Sequence, residues 1–73
     1  MATVEHLSAI DQIGETAGAL WQHLHTNGPA SVTRLIKEVD APRDVVLQAI
    51  GWLAREEKIN IDEESRSKTI SLR

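Results

Sequence analysis

The chain has 73 residues, eight lysines and arginines against eleven acidic residues, no cysteine and a formal net charge of −3. A chain of this length forms one small domain, in which a single core buries about 60% of the unfolded surface. Without cysteine it has neither a disulfide framework nor a thiolate metal site. Its longest apolar run is short and its N-terminus lacks a basic region, so we expect no signal peptide, no membrane span and a cytoplasmic location.

The first helix is predicted from Ile10, where apolar residues begin to recur at steps of three and four. This apolar arc comprises Ile10, Ile13, Ala17, Leu20, Trp21 and Leu24. An Asn-Gly-Pro sequence at 27–29 ends the helix, because it offers a left-handed cap and a residue that cannot continue a helix. Residues 1–9 lack such periodicity, and we expect them to be a flexible lead-in to a domain spanning 10–73.

Two further helices are predicted, separated by an Asp-Ala-Pro turn at 40–42. Ser31 is a suitable N-cap for the shorter helix, and its apolar side comprises Val32, Leu35, Ile36 and Val39. Pro42 suits the first position of the longer helix, which we expect to extend to about Glu57. That helix is apolar over more than a third of its circumference, as expected of a helix packed between other elements. Its narrow polar strip contains Asp44, Gln48, Gly51 and Arg55.

After the third helix the apolar period changes from 3.6 to 2. Ile59 and Ile61 alternate with polar residues, as do Ile70 and Leu72, and the polar segment 63–67 between them predicts a hairpin loop. Three helices followed by a β-hairpin, with a short turn between the second and third helices, indicate a winged helix-turn-helix domain. The predicted fold class is α+β and mostly α-helical.

Two segments are similar to the signature stretches of a known family. They read Ile-Gly-Glu-Thr-Ala-Gly-Ala-Leu-Trp at 13–21 and Ala-Ile-Gly-Trp-Leu-Ala-Arg-Glu-Glu-Lys-Ile at 49–59. Both resemble a family of small prokaryotic winged helix-turn-helix proteins of unknown function. The resemblance extends from about Ile10 to Ile61 and is weaker across the hairpin. Because the family has no agreed biochemical role, the resemblance implies a fold and no functional residue.

The two tryptophans and three of the glycines allow two interpretations. Trp21 and Trp52 are the only aromatic residues, and each could be a binding hot spot or a stacking platform. Their helical positions favour the core instead. Gly51 lies inside a helix, where glycine is about 1 kcal/mol less favourable than alanine. Close packing against Gly14 and Gly18 is the usual reason for such a glycine, and a dent for a partner is the alternative.

The distribution of charge is ambiguous for nucleic-acid binding. Residues 1–33 carry three acidic side chains and no lysine or arginine, whereas the remainder carries eight basic and eight acidic residues. Arg34 with Glu38 is also an ordinary i, i+4 pair, and Asp44 would repel phosphates. We expect three residues to face bases, namely Arg43, Gln48 and Arg55. Four others are expected to meet phosphates, namely Arg34, Lys37, Arg66 and Lys68.

The leading hypothesis is a module for transcription regulation that binds duplex DNA weakly or conditionally. The alternative is a homodimeric protein–protein interaction module without DNA binding, which would use Leu47, Gly51 and Trp52 and bind itself or another protein. The histidines lack metal-ligand spacing, and the sequence has no nucleophile–base pair or glycine-rich phosphate loop. We therefore expect no enzyme activity, cofactor, metal or small-molecule ligand.

Overall fold

Three helices precede a β-hairpin in this chain, as the sequence predicts. The structure is a computed structural model that describes residues 2–64 and 66–73, with side chains in these ranges described from Ala9 onward. The elements in chain order are α1 Ala2–Asn27, β1 Ala30–Ser31, α2 Val32–Glu38, α3 Arg43–Arg55, β2 Ile59–Glu64 and β3 Ser67–Leu72. The α+β, mostly helical winged helix-turn-helix prediction is confirmed.

Helix α1 is longer than its apolar periodicity indicates. It begins at Ala2 rather than Ile10, so most of the expected lead-in is helical. The flexibility of residues 1–9 stays a prediction. The C-terminal end agrees with the sequence: Gly28 has a φ of 86° and donates its N–H to the Leu24 carbonyl at 2.8 Å. Glycine is favoured at such a cap because it adopts the left-handed conformation without a Cβ clash.

The sheet contains one strand that the sequence analysis missed. Strand β1 is only two residues long, too short for an alternating pattern, and it pairs antiparallel with β3, which is the central strand of the order β1-β3-β2. The predicted hairpin loop at 63–67 is too long, since Glu64 pairs with Ser67 and both belong to strands. Polar residues form these pairs because backbone hydrogen bonds need no apolar side chain. Ser65, within that loop, lies outside the described residues.

The starts of α2 and α3 differ in their caps. The Ser31 hydroxyl accepts the Arg34 backbone N–H at 3.1 Å, which confirms the predicted N-cap of α2. Pro42 precedes α3 as its N-cap, with φ −59° and ψ 149°, and does not occupy the first helical position. Its ψ is extended, so the helical conformation starts one residue later.

Helix α3 ends at Arg55, earlier than predicted, through a Schellman motif. The N–H of Glu57 bonds to the Ala54 carbonyl and the N–H of Lys58 to the Leu53 carbonyl, both at 3.0 Å. Glu57 takes the left-handed position of this motif with a φ of 59°, where glycine is the usual residue. The helix therefore ends on backbone hydrogen bonds despite an unfavourable side chain.

The core lies between α1, α2, α3 and the sheet. Its most completely buried large side chains are Leu20, Leu35, Val46 and Ile70. Four positions expected from the apolar pattern to be buried are instead exposed, by fractions of 65% for Ile10, 37% for Trp21, 46% for Trp52 and 41% for Ile61. Both tryptophan predictions are wrong. Ile10 and Trp21 lie at the edge of the α1 arc, whereas Ile61 lies on the edge strand β2, where β3 covers only one side.

Replacing Leu20 should destabilise the fold more than replacing its neighbour Trp21. Leu20 is fully buried, and Leu20→Ala is expected to lower the free energy of unfolding by about 2–5 kcal/mol. Trp21→Ala removes a larger side chain but leaves no enclosed cavity, so the loss should be smaller. Urea unfolding followed by far-UV circular dichroism, at one low protein concentration, checks the order. A larger loss for Trp21→Ala would contradict this description of the core.

Glycine should improve the end of α3. Glu57→Gly relieves the left-handed conformation and is expected to raise the free energy of unfolding by about 1 kcal/mol. The matched control is Glu56→Gly, since Glu56 has a φ of −81°. Glycine at that position only increases the entropy of the unfolded chain and should lower stability. Thermal unfolding of the two variants should shift Tm in opposite directions, and equal shifts would contradict the cap assignment.

Candidate nucleic-acid interface

Three of the predicted basic residues come together around one recess. Arg43 begins α3, while Arg66 and Lys68 lie at the turn end of the β2–β3 hairpin, and all three line a recess of about 470 Å³. The start of α2 supplies the opposite wall. The remaining lining residues are Ser31, Val32, Thr33, Glu63 and Ser67.

The charge of this basic recess is positive despite the net acidity of the chain. Its three cations face one carboxylate, Glu63, whose Oε2 lies 3.5 Å from Lys68 Nζ. Both side chains are more than half exposed, and such exposed pairs are weak and easily exchanged. Arginine donors suit phosphate oxygens because the guanidinium can donate two parallel hydrogen bonds. The basic recess can therefore receive a phosphate group.

Arg34 is held away from this recess by a carboxylate on its own helix. Its Nε donates to Glu38 Oε2 at 2.9 Å, as the i, i+4 spacing predicts, and His23 Nε2 lies 2.8 Å from the other oxygen of Glu38. The His23 hydrogen bond, and after it the Arg34 hydrogen bond, lower the pKa of Glu38. This cluster joins α1 to α2. Sequence reasoning missed the participation of His23, since nothing local to residue 23 indicates a partner fifteen positions away.

The other predicted nucleic-acid residues lie outside the basic recess. Lys37 is an exposed residue of α2, and Gln48 and Arg55 are exposed on α3. At 100° per residue, Gln48 and Arg55 lie on the same side of α3 as Asp44 and Gly51. Arg43 alone belongs both to α3 and to the recess lining. The seven predicted residues thus form one cluster of three, two residues along α3 and two along α2.

The three predicted protein-interface residues are all on the surface of α3. Leu47 and Trp52 have exposed fractions of 43% and 46%. A Cβ atom added to Gly51 would meet no atom within 4 Å, and the same holds for Gly14 and Gly18. Close packing among these glycines, the interpretation that the sequence favours, is therefore wrong. Their backbones are open to solvent.

A second recess, which the sequence analysis did not anticipate, lies between α1 and α3. This α1–α3 groove has a volume of about 420 Å³, and its lining residues are Gly14, Ala17, Gly18, Trp21, Gln22, Trp52, Leu53 and Lys58. Trp21 stacks on His25 with ring centroids 4.9 Å apart and an interplanar angle of 11°. At this place two half-exposed tryptophans meet two glycines. The sequence of either helix alone does not predict that they meet.

Comparison with known proteins decides the family. The family model described as "Winged helix-turn-helix domain (DUF2582)" matches residues 8–72. This chain belongs to that winged helix-turn-helix family. The match extends through the hairpin, beyond the Ile61 limit of the resemblance seen in the sequence. An uncharacterised protein of Methanocaldococcus jannaschii is 35% identical over 65 residues, covering 85% of this chain and 91% of its own length. No solved structure shows a significant match.

Membership of the winged helix-turn-helix family gives the elements their usual names. Helix α3 occupies the position of the recognition helix, which in DNA-binding domains of this fold enters the major groove, and the β2–β3 hairpin occupies the position of the wing. The basic recess therefore lies between the wing and the N-terminal end of the recognition helix.

Two other kinds of feature are absent from the described ranges. No group of three or more histidine, aspartate or glutamate side chains there is placed to hold a metal ion. In the same part of the chain, no helix has the length and apolarity needed to cross a membrane.

The Glu38 cluster should make stability depend on pH in the acidic range. Because the folded-state pKa of Glu38 is lowered, its contribution is present above the ordinary carboxyl pKa and is lost as the pH falls through the lowered value. Glu38→Gln should therefore be less stable than the wild type at neutral pH, with the difference shrinking towards about pH 3. Urea midpoints at both pH values check this, with Glu56→Gln as the control. A difference that is constant with pH would contradict the assignment.

Proposed function

We propose that this protein binds duplex DNA weakly or conditionally, as a cytoplasmic module of transcription regulation. The proposal is for a binding module and not for an enzyme. The observation that carries it is the convergence of Arg43, Arg66 and Lys68 on one recess beside the recognition helix. These cations come from two separate parts of the chain. The local sequence composition does not require them to meet.

The basic recess suits the DNA backbone. With α3 in the major groove, a wing beside its N-terminal end lies near the flanking phosphates. Arg66 and Lys68 on the wing and Arg43 at the helix start would neutralise those phosphates and position the domain. Contacts of this kind contribute to affinity and fix the position of the domain along the duplex, but they contribute little to sequence specificity.

The exposed side of α3 would contact the DNA bases. Gln48 and Arg55 have the side chains that pair with adenine and guanine edges, respectively. Gly51 lies between them on the same side of the helix and has no Cβ atom, and nothing in the described structure covers that position, so the helix backbone can approach the bases closely. Asp44 near the start of the helix is repelled by phosphates. The expected result is modest affinity dominated by the phosphate contacts.

Salt dependence tests the proposal. Fluorescence anisotropy with a labelled duplex should show affinity falling steeply between about 50 and 200 mM salt, because each neutralised phosphate releases counterions. Arg66→Ala should weaken binding and reduce the slope of log K against log salt by about one. Arg43→Ala should do the same. No detectable binding at the low-salt end would contradict the proposal.

Arg73→Ala is the matched control for this experiment. It changes the net charge as Arg66→Ala does and also removes an exposed arginine at the end of a hairpin strand. Arg73 pairs with Glu57 at 3.5 Å and does not line the basic recess. Its affinity and salt slope should stay near those of the wild type. Equal losses in both variants would indicate a general charge effect without a defined site.

A homodimeric protein–protein interaction module without DNA binding is the second candidate. The observation that favours it is the exposure of Leu47 and Trp52 on α3, by 43% and 46%, on either side of the bare Gly51. Tryptophan is enriched among the residues that contribute most to binding at protein interfaces. A partner seated there would cover Gln48, so this candidate and DNA binding compete for α3. Duplex binding with the salt dependence described above would exclude it as the sole function.

A further inference from the structure

Two glycines of α1 have no role inside the protomer. Glycine in an exposed helix interior is destabilising by about 1 kcal/mol relative to alanine. Gly14 and Gly18 both lie well inside α1, and an added Cβ at either would meet nothing within 4 Å. Neither a turn nor a close approach within the chain requires them. A partner from outside the chain that approaches the bare backbone would account for them.

The glycines belong to a continuous apolar strip beside the buried face of α1. At 100° per residue, Ile10, Gly14, Gly18 and Trp21 fall within a narrow arc of the helix. Ile10 is 65% exposed and Trp21 is 37% exposed. Together with Trp52 of α3, Gly14, Gly18 and Trp21 line the α1–α3 groove. Exposed apolar side chains flanking a bare backbone form a surface that can accept another helix.

The strip is complementary to itself in one orientation. About a two-fold axis midway between Gly14 and Gly18, two antiparallel α1 helices place Gly14 of each copy opposite Gly18 of the other. Ile10 lies one turn before Gly14, about 6 Å along the axis. It would then meet the position one turn after Gly18 in the second copy, where Trp21 and Gln22 line the groove. A two-fold interface requires this kind of reciprocal match.

Charge favours the same orientation. Asp11 lies on the N-terminal half of this helix, and residues 1–33 contain no lysine or arginine. The antiparallel arrangement brings Asp11 of one copy towards the groove of the other, whose lining includes the cation Lys58. Neither Asp11 nor Lys58 forms an ion pair with another described residue. A parallel arrangement would instead bring the two Asp11 side chains together.

The length of α1 adds to the available surface. Its 26 residues extend about 39 Å at the usual rise per residue, in a molecule whose longest dimension is 44 Å and whose other dimensions are about half that. Pairing along α1 therefore uses the longest surface of the protein. Gln12 and the residues at 9–11 are exposed, so the N-terminal part of the helix has room for a partner.

We infer that a second copy of this chain docks on the α1–α3 groove, forming a two-fold dimer in which the α1 helices cross antiparallel at Gly14 and Gly18. This surface shares Trp52 with the α3 surface of the second candidate function, but Leu47 and Gly51 do not line the groove. It also leaves the basic recess uncovered, so the dimer is compatible with DNA binding and does not depend on it.

The test replaces the bare backbone with side chains that the protomer itself tolerates. Gly14→Gln with Gly18→Gln adds good helix formers at positions where nothing is in contact, so the isolated protomer should fold at least as well. The added side chains would hold the two helices apart. Sedimentation velocity from low to high micromolar concentration should give twice the chain mass of 8.1 kDa for the wild type. The double variant should give the mass of one chain throughout.

Gly51→Gln is the matched control. It is also a helical glycine with nothing near its Cβ, but it lies outside the groove lining, and the variant should remain dimeric. Tryptophan emission provides a second measurement, since association should cover Trp21 and Trp52 and shift wild-type emission to shorter wavelength. A monomeric wild type, a dimeric Gly14→Gln/Gly18→Gln variant, or loss of the dimer only in Gly51→Gln would each overturn the inference. Far-UV circular dichroism confirms folding of each variant, and the DNA assay above reports on the separate proposal.

Discussion

The packing of α1 against α3 is the constraint on which the rest of this small domain depends. Ala17, Leu20 and Leu24 of α1 and Val46, Ala49 and Leu53 of α3 belong to one buried cluster, which Leu35 of α2 and Ile70 of β3 complete. The small residues inside it are alanines, with Ala49 fully buried. Alanine brings the helices close together without the conformational freedom that glycine adds to the unfolded chain. The helical glycines Gly14, Gly18 and Gly51 therefore lie on the surface.

This packing turns two sides of α3 towards different surroundings. At its N-terminal end α3 meets the wing, and Arg43 joins Arg66 and Lys68 in the basic recess. Along another side it meets α1, and Trp52 joins Trp21 in the α1–α3 groove. One surface is polar and cationic, whereas the other is lined by tryptophan rings and bare backbone. Their separation would allow the proposed phosphate binding and the inferred self-association to coexist in a domain of 73 residues.

The proposed DNA-binding function would gain from such a division. A single domain with one basic recess makes few phosphate contacts, and its affinity for duplex DNA is correspondingly limited. Two copies related by a two-fold axis would present two recognition helices, so that the second contact becomes intramolecular. The acidity of α1, which opposes DNA binding when the chain charge is considered as a whole, is then used at the interface between copies.

Local interactions explain which predictions succeed. The Ser31 cap, the Asn-Gly-Pro stop at 27–29 and the Arg34–Glu38 pair involve residues within a turn of one another, so neighbouring side chains decide them. The errors at the two ends of α3 are also local, and they are small. Pro42 lies one position outside α3, and Glu57 adopts a left-handed conformation that its residue type does not indicate. Strand β1 was missed because two residues carry no period.

The sequence by itself determined the order of the three helices and the hairpin, the winged helix-turn-helix class and the family, because apolar periodicity and turn residues act locally. Only the tertiary structure decided the surfaces. Which edge of an apolar arc is covered depends on where a neighbouring helix ends. Trp21 and Trp52 are therefore half-exposed, although periodicity predicted that they would be buried. Which cations meet depends on how the wing folds back towards α3, so Arg43, Arg66 and Lys68 share a recess while Arg34 is bound to Glu38.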